Sequence, residues 1–265
     1  MQYKIGFIGC GNMGGALARA VCKAIGGENV AVCDYDTTKT QKLQEQFGAT
    51  PLSILQLVEQ CKFIVLGVKP QNMQETTAQM KDVLKTRNDA VIITMAAGVS
   101  AAAIRTYLGD NLPVIRIMPN TPADLGQGMI LYTLLGASQD DEQTFLQYFS
   151  KAGKIDKIPE DKIDAASALS GCGPAFVYAF AEALADGGVE CGVPRDKANL
   201  YAAQTLLGAA EMLLAFGHPA DLKDAVCSPG GTTIAGIHAL EDAGFRGAVM
   251  DAVTAAYKRT WELKK

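Results

Sequence analysis

The sequence is poor in histidine and in net charge, and each shortage excludes a class of function. Only His218 and His238 are available in 265 residues, so a metal site built on histidine and cysteine is not expected, and neither is any other metal. Lys and Arg together number 24 against 28 Asp and Glu, a net charge of −4, which leaves no basic field for nucleic acid. Apolar runs are broken by glycine, proline or charge before the roughly 20 residues of a membrane span, so no membrane segment is expected. No C-x-x-C pair occurs. The seven cysteines, Cys10, Cys22, Cys33, Cys61, Cys172, Cys191 and Cys227, are dispersed and odd in number, as reduced thiols acting as small apolar filler would be. The start, Met1-Gln2-Tyr3-Lys4, runs directly into an apolar strand with no visible signal or transit peptide, so a cytoplasmic location is expected. There is also no repeat and no low-complexity tract.

What is present divides into two textures. Up to about residue 158, short β-branched runs alternate with helical stretches. Strands are predicted at Lys4–Ile8, Val30–Cys33, Phe63–Val68, Ala90–Met95, Val114–Ile117 and Met129–Tyr132, with amphipathic stretches such as Gly15–Ala24 and Lys39–Phe47 between them. These runs read as apolar throughout, which predicts a parallel sheet covered on both faces. After Pro159 the chain is rich in Ala, Leu, Met and Glu with almost no strand-like run. Residues 1–158 are therefore expected to form an α/β dinucleotide-binding domain of Rossmann type, and residues 159–265 an all-helical one. Ala175–Ala185 and Ala202–Ala215 are apolar nearly all round, and such helices need partners on every face. About 105 residues cannot supply them alone, so the helical part is expected to dimerise.

Gly9-Cys10-Gly11-Asn12-Met13-Gly14 follows the first predicted strand and opens a helix, which is the context a G-x-G-x-x-G dinucleotide motif requires. Gly9 allows the tight turn, Gly11 lets backbone approach the pyrophosphate and Gly14 lets the helix pack on the strand. Asp34 ends the second strand, where a ribose-binding acid is expected. With Tyr35 and Asp36 it crowds negative charge where an NADP 2′-phosphate would sit, favouring NADH, while Lys39 and the hydroxyls of Thr37 and Thr38 keep NADPH open. Val68-Lys69-Pro70 and Ala96-Ala97-Gly98 follow the third and fourth strands, where an open parallel sheet binds ligands.

A second glycine-rich turn, Cys227-Ser228-Pro229-Gly230-Gly231-Thr232-Thr233, precedes a helix predicted from about Ile234 to Ala243. Free backbone N–H groups there suit a small carboxylate, but Ser and Thr could equally form an ordinary N-cap. Ser170-Gly171-Cys172-Gly173-Pro174-Ala175 forces a break or a close helix approach, and reads more as packing than as chemistry.

Over essentially the whole chain these segments, with Arg116-Ile117-Met118-Pro119-Asn120-Thr121-Pro122-Ala123, Ala185-Asp186-Gly187-Gly188 and Leu222-Lys223-Asp224, resemble the pyrroline-5-carboxylate reductase family. The M-P-N-T-P and S-P-G-G-T-T segments carry the likeness most specifically. The resemblance implies reduction of 1-pyrroline-5-carboxylate to L-proline by NADH or NADPH, the last step of proline biosynthesis. It implies a helical dimerisation domain, active sites built between one subunit's nucleotide domain and its partner's helices, and further association of dimers, commonly into decamers. By position, Ile8, Gly9, Cys10, Gly11, Asn12, Met13, Asp34, Gly67, Val68, Lys69, Pro70, Ala96, Ala97 and Gly98 would hold the dinucleotide, with Ser53 at its adenosine end. Ser228, Gly230, Gly231, Thr232 and Thr233 would hold the substrate carboxylate, and the Thr233 hydroxyl would face the ring nitrogen. Asp34 departs from the family, where a neutral residue is common. A protonated imine is already electrophilic, so positioning rather than a strong acid should carry catalysis, and His218 and His238 read as structural. A β-hydroxyacid dehydrogenase would need a lysine and an asparagine within Ser170–Val189, where neither occurs. A sensor that had lost its chemistry would show damage in Ser228–Thr233, which is intact.

Overall fold

The computed structural model describes residues 2–109 and 111–262; Met1 and residues 263–265, at the outer ends of the two expected domains, lie outside the described residues. The first half is built from β1 (Tyr3–Ile8), α1 (Asn12–Ile25), β2 (Val30–Cys33), α2 (Thr37–Phe47), β3 (Thr50–Pro51), α3 (Ile54–Gln60), β4 (Cys61–Leu66) and α4 (Met73–Leu84). It continues through β5 (Val91–Thr94), α5 (Ala101–Leu108), β6 (Val114–Met118), β7 (Gly128–Leu135), α6 (Gln139–Tyr148) and β8 (Gly153–Lys157). The strands form one sheet in the order β3-β2-β1-β4-β5-β6-β7-β8.

Both faces of the sheet are covered, and the two-residue period of a strand sorts its side chains between them. Phe63 and Val65 of β4 and Val91 and Ile93 of β5 enter one core with Ile5 and Phe7. Ile64, Leu66 and Ile92 enter the other, against Met73, Met80 and Ile104 from the flanking helices. Local chemistry sets the helix starts. Asp36 accepts from the Thr38 N–H, Ser100 caps α5, and Ser53 and Ser138 each form a capping box with the residue three positions on.

The sheet departs from the expected parallel arrangement at one pair. β7 runs antiparallel to β6, with Arg116 opposite Thr133. The connection is a short turn through Thr121–Leu125 rather than a crossover helix, and a parallel return needs a crossover. β8 then pairs parallel to β7 after α6. Two strands lie outside the predicted set: β3, only two residues long, and β8, whose exposed Gly-Lys-Ile-Asp-Lys edge carries no apolar run. Nor is every run apolar throughout, since Arg116 sits in β6 at 2 % exposure.

From Glu160 onward the described residues contain helices and no strand: α7 (Glu160–Ser170), α8 (Gly173–Glu190), α9 (Arg195–Phe216), α10 (Pro219–Ala225), α11 (Thr232–Asp242) and α12 (Phe245–Glu262). The expected break after Ser170 is present and two residues long. Glu160–Glu190 is nevertheless long and apolar enough, by length and composition, to cross a membrane, contrary to the expectation that no run is; glycine, cysteine and proline interrupt it without adding charge.

By internal contacts the described residues form two compact units: those up to Cys172 together with 256–262, and Gly173–Ala255. The first holds both large cores. The second holds a small one, Ala185, Ala198 and Ala202 with Val189 and Val193 against them, while Tyr178, Leu200, Leu207 and Leu214 stand exposed.

Candidate active site

The glycine-rich turn between β1 and α1 is shaped by three backbones that approach without side chains. Gly9 has φ 94°, a left-handed conformation that glycine adopts freely. A Cβ on Gly9 would lie 2.8 Å from the Gly67 carbonyl, one on Gly67 would lie 2.5 Å from the Gly9 oxygen, and one on Gly14 would overlap that same oxygen. The turn after β1, the turn after β4 and the first turn of α1 therefore interlock. The Gly67 N–H donates to the Ile8 carbonyl at 2.8 Å, and the Gly9 N–H to the Cys33 carbonyl at 2.8 Å.

Gly11 differs from the other two glycines of the motif. A Cβ there would meet no protein atom within 4 Å, so its smallness serves nothing in the fold and leaves open space at the helix end. Gly11 is the cap residue of α1 and no side chain caps that helix. The N–H groups of its first turn, at Asn12 and Met13, thus meet no capping acceptor, and the helix dipole adds positive potential there. These features fit a pyrophosphate.

A cleft of about 430 Å³ opens beside this turn. Its walls include Ile8, Gly9, Gly11 and Asp34 on one side and Gly67, Val68 and Lys69 on the other. Lys69 is exposed and forms no ion pair with the described residues. Pro70 starts the short turn that leads into α4. Cys10 is buried, and burial followed by the nearby Asp34 charge pushes its thiol up to about 12. Its role in the turn therefore rests on its backbone.

Asp34 is more heavily engaged than the sequence suggests. One carboxylate oxygen accepts the Cys10 N–H at 2.6 Å; the other accepts the Asp36 N–H at 2.9 Å and lies 3.4 Å from the Lys39 ammonium. Lys39 also lies 3.7 Å from Asp36. Two carboxylates around one ammonium leave this corner with one net negative charge.

Not every expected residue lines this cleft: Cys10, Asn12, Met13 and Pro70 lie beside its walls in sequence, and Ser53 is engaged elsewhere. Its hydroxyl caps α3 and it does not line the cleft, although its neighbour Ile54 does. Ala96, Ala97 and Gly98 form the turn after β5, with Gly98 at φ 75°, at the carboxyl end of the sheet but outside that cleft. Gln71, Asn72, Thr76 and Gln79 line the cleft and were not anticipated. Their only signal is the three-residue spacing of Thr76 and Gln79 on one side of α4.

In the second unit, the Ser228–Thr233 turn resolves the choice between a capped and an open helix start. The cap position of α11 falls on Gly231, and no side chain caps the helix. Gly230 takes φ 69°, and the Gly231 N–H donates to the Ser228 carbonyl at 3.0 Å, closing the turn. Thr232 and Thr233 open the helix with exposed side chains. His238, one turn further on, sits at the surface 3.2 Å from Asp242. His218 is also exposed, at the start of α10.

Comparison with known proteins accounts for both units. A family model described as pyrroline-5-carboxylate reductase dimerisation matches residues 160–263, and one described as NADP oxidoreductase coenzyme F420-dependent matches residues 4–98. The chain is 41 % identical to the pyrroline-5-carboxylate reductase of Glycine max over 99 % of its length and 96 % of that protein's. It is 38 % identical to the enzyme of that name from Escherichia coli, over the whole of both. The crystal structure of Plasmodium falciparum pyrroline carboxylate reductase with NADP bound superposes with a TM-score of 0.89 at 31 % identity, covering all of both chains. On these full-length matches, the chain belongs to the pyrroline-5-carboxylate reductase family.

Proposed function

We propose that this protein reduces 1-pyrroline-5-carboxylate to L-proline with a nicotinamide dinucleotide, the last step of proline biosynthesis. The observation that carries this reading is the full-length family match over a chain whose two glycine-built helix starts are both uncapped. One of them suits a pyrophosphate and the other a small carboxylate.

Residues 1–158 form the dinucleotide-binding part and 159–265 the helical dimerisation and substrate part. Gly11, Asn12 and Met13 hold the pyrophosphate on backbone N–H groups, within the turn formed by Ile8, Gly9 and Cys10. Asp34 takes the ribose hydroxyls and Ser53 borders the adenosine end. Gly67, Val68, Lys69 and Pro70, with Ala96, Ala97 and Gly98, flank the nicotinamide. A dinucleotide held there would supply the hydride that the imine carbon needs. Ser228, Gly230, Gly231, Thr232 and Thr233 orient the substrate carboxylate, and the Thr233 hydroxyl orients the ring nitrogen, which carries its proton before hydride arrives. Catalysis then rests on holding the reacting atoms in near-attack geometry.

NADH is the preferred cofactor. The net negative corner of Asp34, Asp36 and Lys39 would meet a 2′-phosphate with repulsion. The protein works as a cytoplasmic homodimer, in which a second copy covers the exposed apolar side chains of the helical unit, with dimers assembling further. Initial rates with 1-pyrroline-5-carboxylate and matched NADH or NADPH test the reading. Turnover with NADH ahead of NADPH is expected; folded, dimeric protein that oxidises neither would overturn it.

A further inference from the structure

Arg116 is the largest fully buried side chain among the described residues, and the mechanism above does not use it. It lies in β6, and its Nη2 donates to Asp164 Oδ1 at 2.5 Å, with Nη1 3.5 Å from Glu160 Oε1. Its Nε is buried with no hydrogen-bond partner among the described residues. A buried ion pair contributes little net stability, because desolvation offsets the Coulomb attraction, and an unpaired buried donor is a further cost. Such a group is better explained by what it holds in place.

What it holds is α7. Glu160 and Asp164 lie in the first two turns of that helix. Its last residue is fixed from the same stretch of chain: the Asn120 Nδ2 donates to the Ser170 carbonyl at 2.9 Å, while its Oδ1 accepts the Met129 N–H at 2.8 Å. Asn120 is itself 8 % exposed. The five residues from Arg116 to Asn120 thus pin α7 at both ends. Glu160 reaches one element further, since its Oε1 accepts the Ala101 N–H at 2.8 Å at the start of α5. Ala101 directly follows the turn of Ala96–Ser100. Arg116, Glu160 and Asn120 therefore tie that turn, α7 and β6 into one rigid set within the first unit.

We propose that Arg116, Asn120 and Glu160 are positioning residues for hydride transfer. They hold the Ala96–Gly98 turn against α7, so that the nicotinamide side of the site keeps one geometry. The inference rests on the reading above that this turn flanks the nicotinamide. None of the three touches the reacting atoms; they act through the backbone they anchor.

Glu160 is partly exposed, so its variants should fold. Glu160→Ala removes the acceptor for Ala101 and one partner of Arg116, whereas Glu160→Gln keeps an acceptor. Asn120→Asp keeps the acceptor for Met129 and loses the donor to Ser170. For each, kcat, KM, the NADH dissociation constant and the kinetic isotope effect with 4-deuterated NADH are measured on full-length dimeric protein. Glu160→Ala and Asn120→Asp should lower kcat by roughly ten- to a hundredfold, the scale of a misplaced reactant. NADH affinity should stay within about twofold, the isotope effect should rise, and Glu160→Gln should recover most of the loss. Activity lost only in proportion to unfolded protein, with an unchanged isotope effect, would mean a structural role and overturn the proposal. Ala97→Leu separates the two readings. Weakened NADH binding places the turn at the nicotinamide, whereas no effect on affinity or turnover removes that placement and this proposal with it. An effect of Ala97→Leu beside normal hydride transfer in the anchoring variants overturns this proposal alone.

Discussion

The two units solve burial in opposite ways. The first stacks helices on both faces of a sheet, so that Ile5, Phe7, Leu17, Phe63 and Ile93 lose all or nearly all contact with water. The second buries little more than Ala185, Ala198 and Ala202, and leaves Leu214 at 82 % exposure and Met250 at 69 %. Burial of a large apolar side chain is worth about 1.5–3 kcal/mol, so one unit carries its stability within itself while the other must obtain it from outside. The exposed side chains of the second are what a dimerisation domain leaves for a partner.

That contrast can be broken from either side. Leu17→Ala opens a cavity in a closed core and should cost about 2–5 kcal/mol in thermal or denaturant unfolding, at any protein concentration. Leu207→Asp should instead leave the first unit folded and shift sedimentation toward monomer, with loss of activity; an unchanged dimer would mean that α9 is not covered there. The midpoint of the wild type should rise with protein concentration, as mass action requires of a dimer.

The two uncapped helix starts sharpen the comparison, one in each unit. Thr233→Ala should lower kcat/KM by roughly ten- to a thousandfold with NADH affinity retained, the range for a positioned polar or acid–base group. Near-normal turnover would remove Thr233 from the mechanism. Asp34→Asn should raise kcat/KM for NADPH relative to NADH by about tenfold, equivalent to about 1.4 kcal/mol of repulsion removed. The gain should shrink in high salt, because the corner is partly exposed.

The smallest effect concerns the buried thiols of the first unit. Burial pushes Cys10 and Cys61 up to about 12 and Cys22 up to about 11. An acid raised above its unfolded value, near 8.5 for a thiol, binds more protons when folded, so its contribution is complete below about pH 8.5 and is lost as pH rises toward these values. Melting temperature should therefore fall between about pH 9 and pH 11, and Cys61→Ala should flatten that fall slightly, though it also opens a small cavity.

Most of the sheet was legible because its central strands are covered on both faces and read as mainly apolar runs, with Arg116 of β6 the exception that the pattern did not mark. The rest failed where the signal lives outside the strand. β3 is too short to show a period, β8 is an exposed edge, and the reversal at β7 is set by the length of the turn before it. In the site, Gly9, Gly11 and Asp34 were legible because a motif of fixed spacing joins them. Spacing could not show that the Asp34 carboxylate is already occupied by the Cys10 N–H, nor that the hydroxyl of Ser53 serves its own helix. Arg116 stood in plain view within a motif, but its partners are 44 and 48 residues away, and only the fold brings them to it.

The interlocked backbones of Gly9, Gly14 and Gly67 bear on how this enzyme can evolve. Any change at one of them adds a Cβ where another backbone already lies, so no single substitution there leads to an intermediate that keeps the turn. On the proposed reading, selection for a different cofactor would leave that knot alone and act on the side chains of Asp34, Asp36 and Lys39. That reading leaves cofactor preference free to change at three side chains while the backbone cradle beneath them stays fixed.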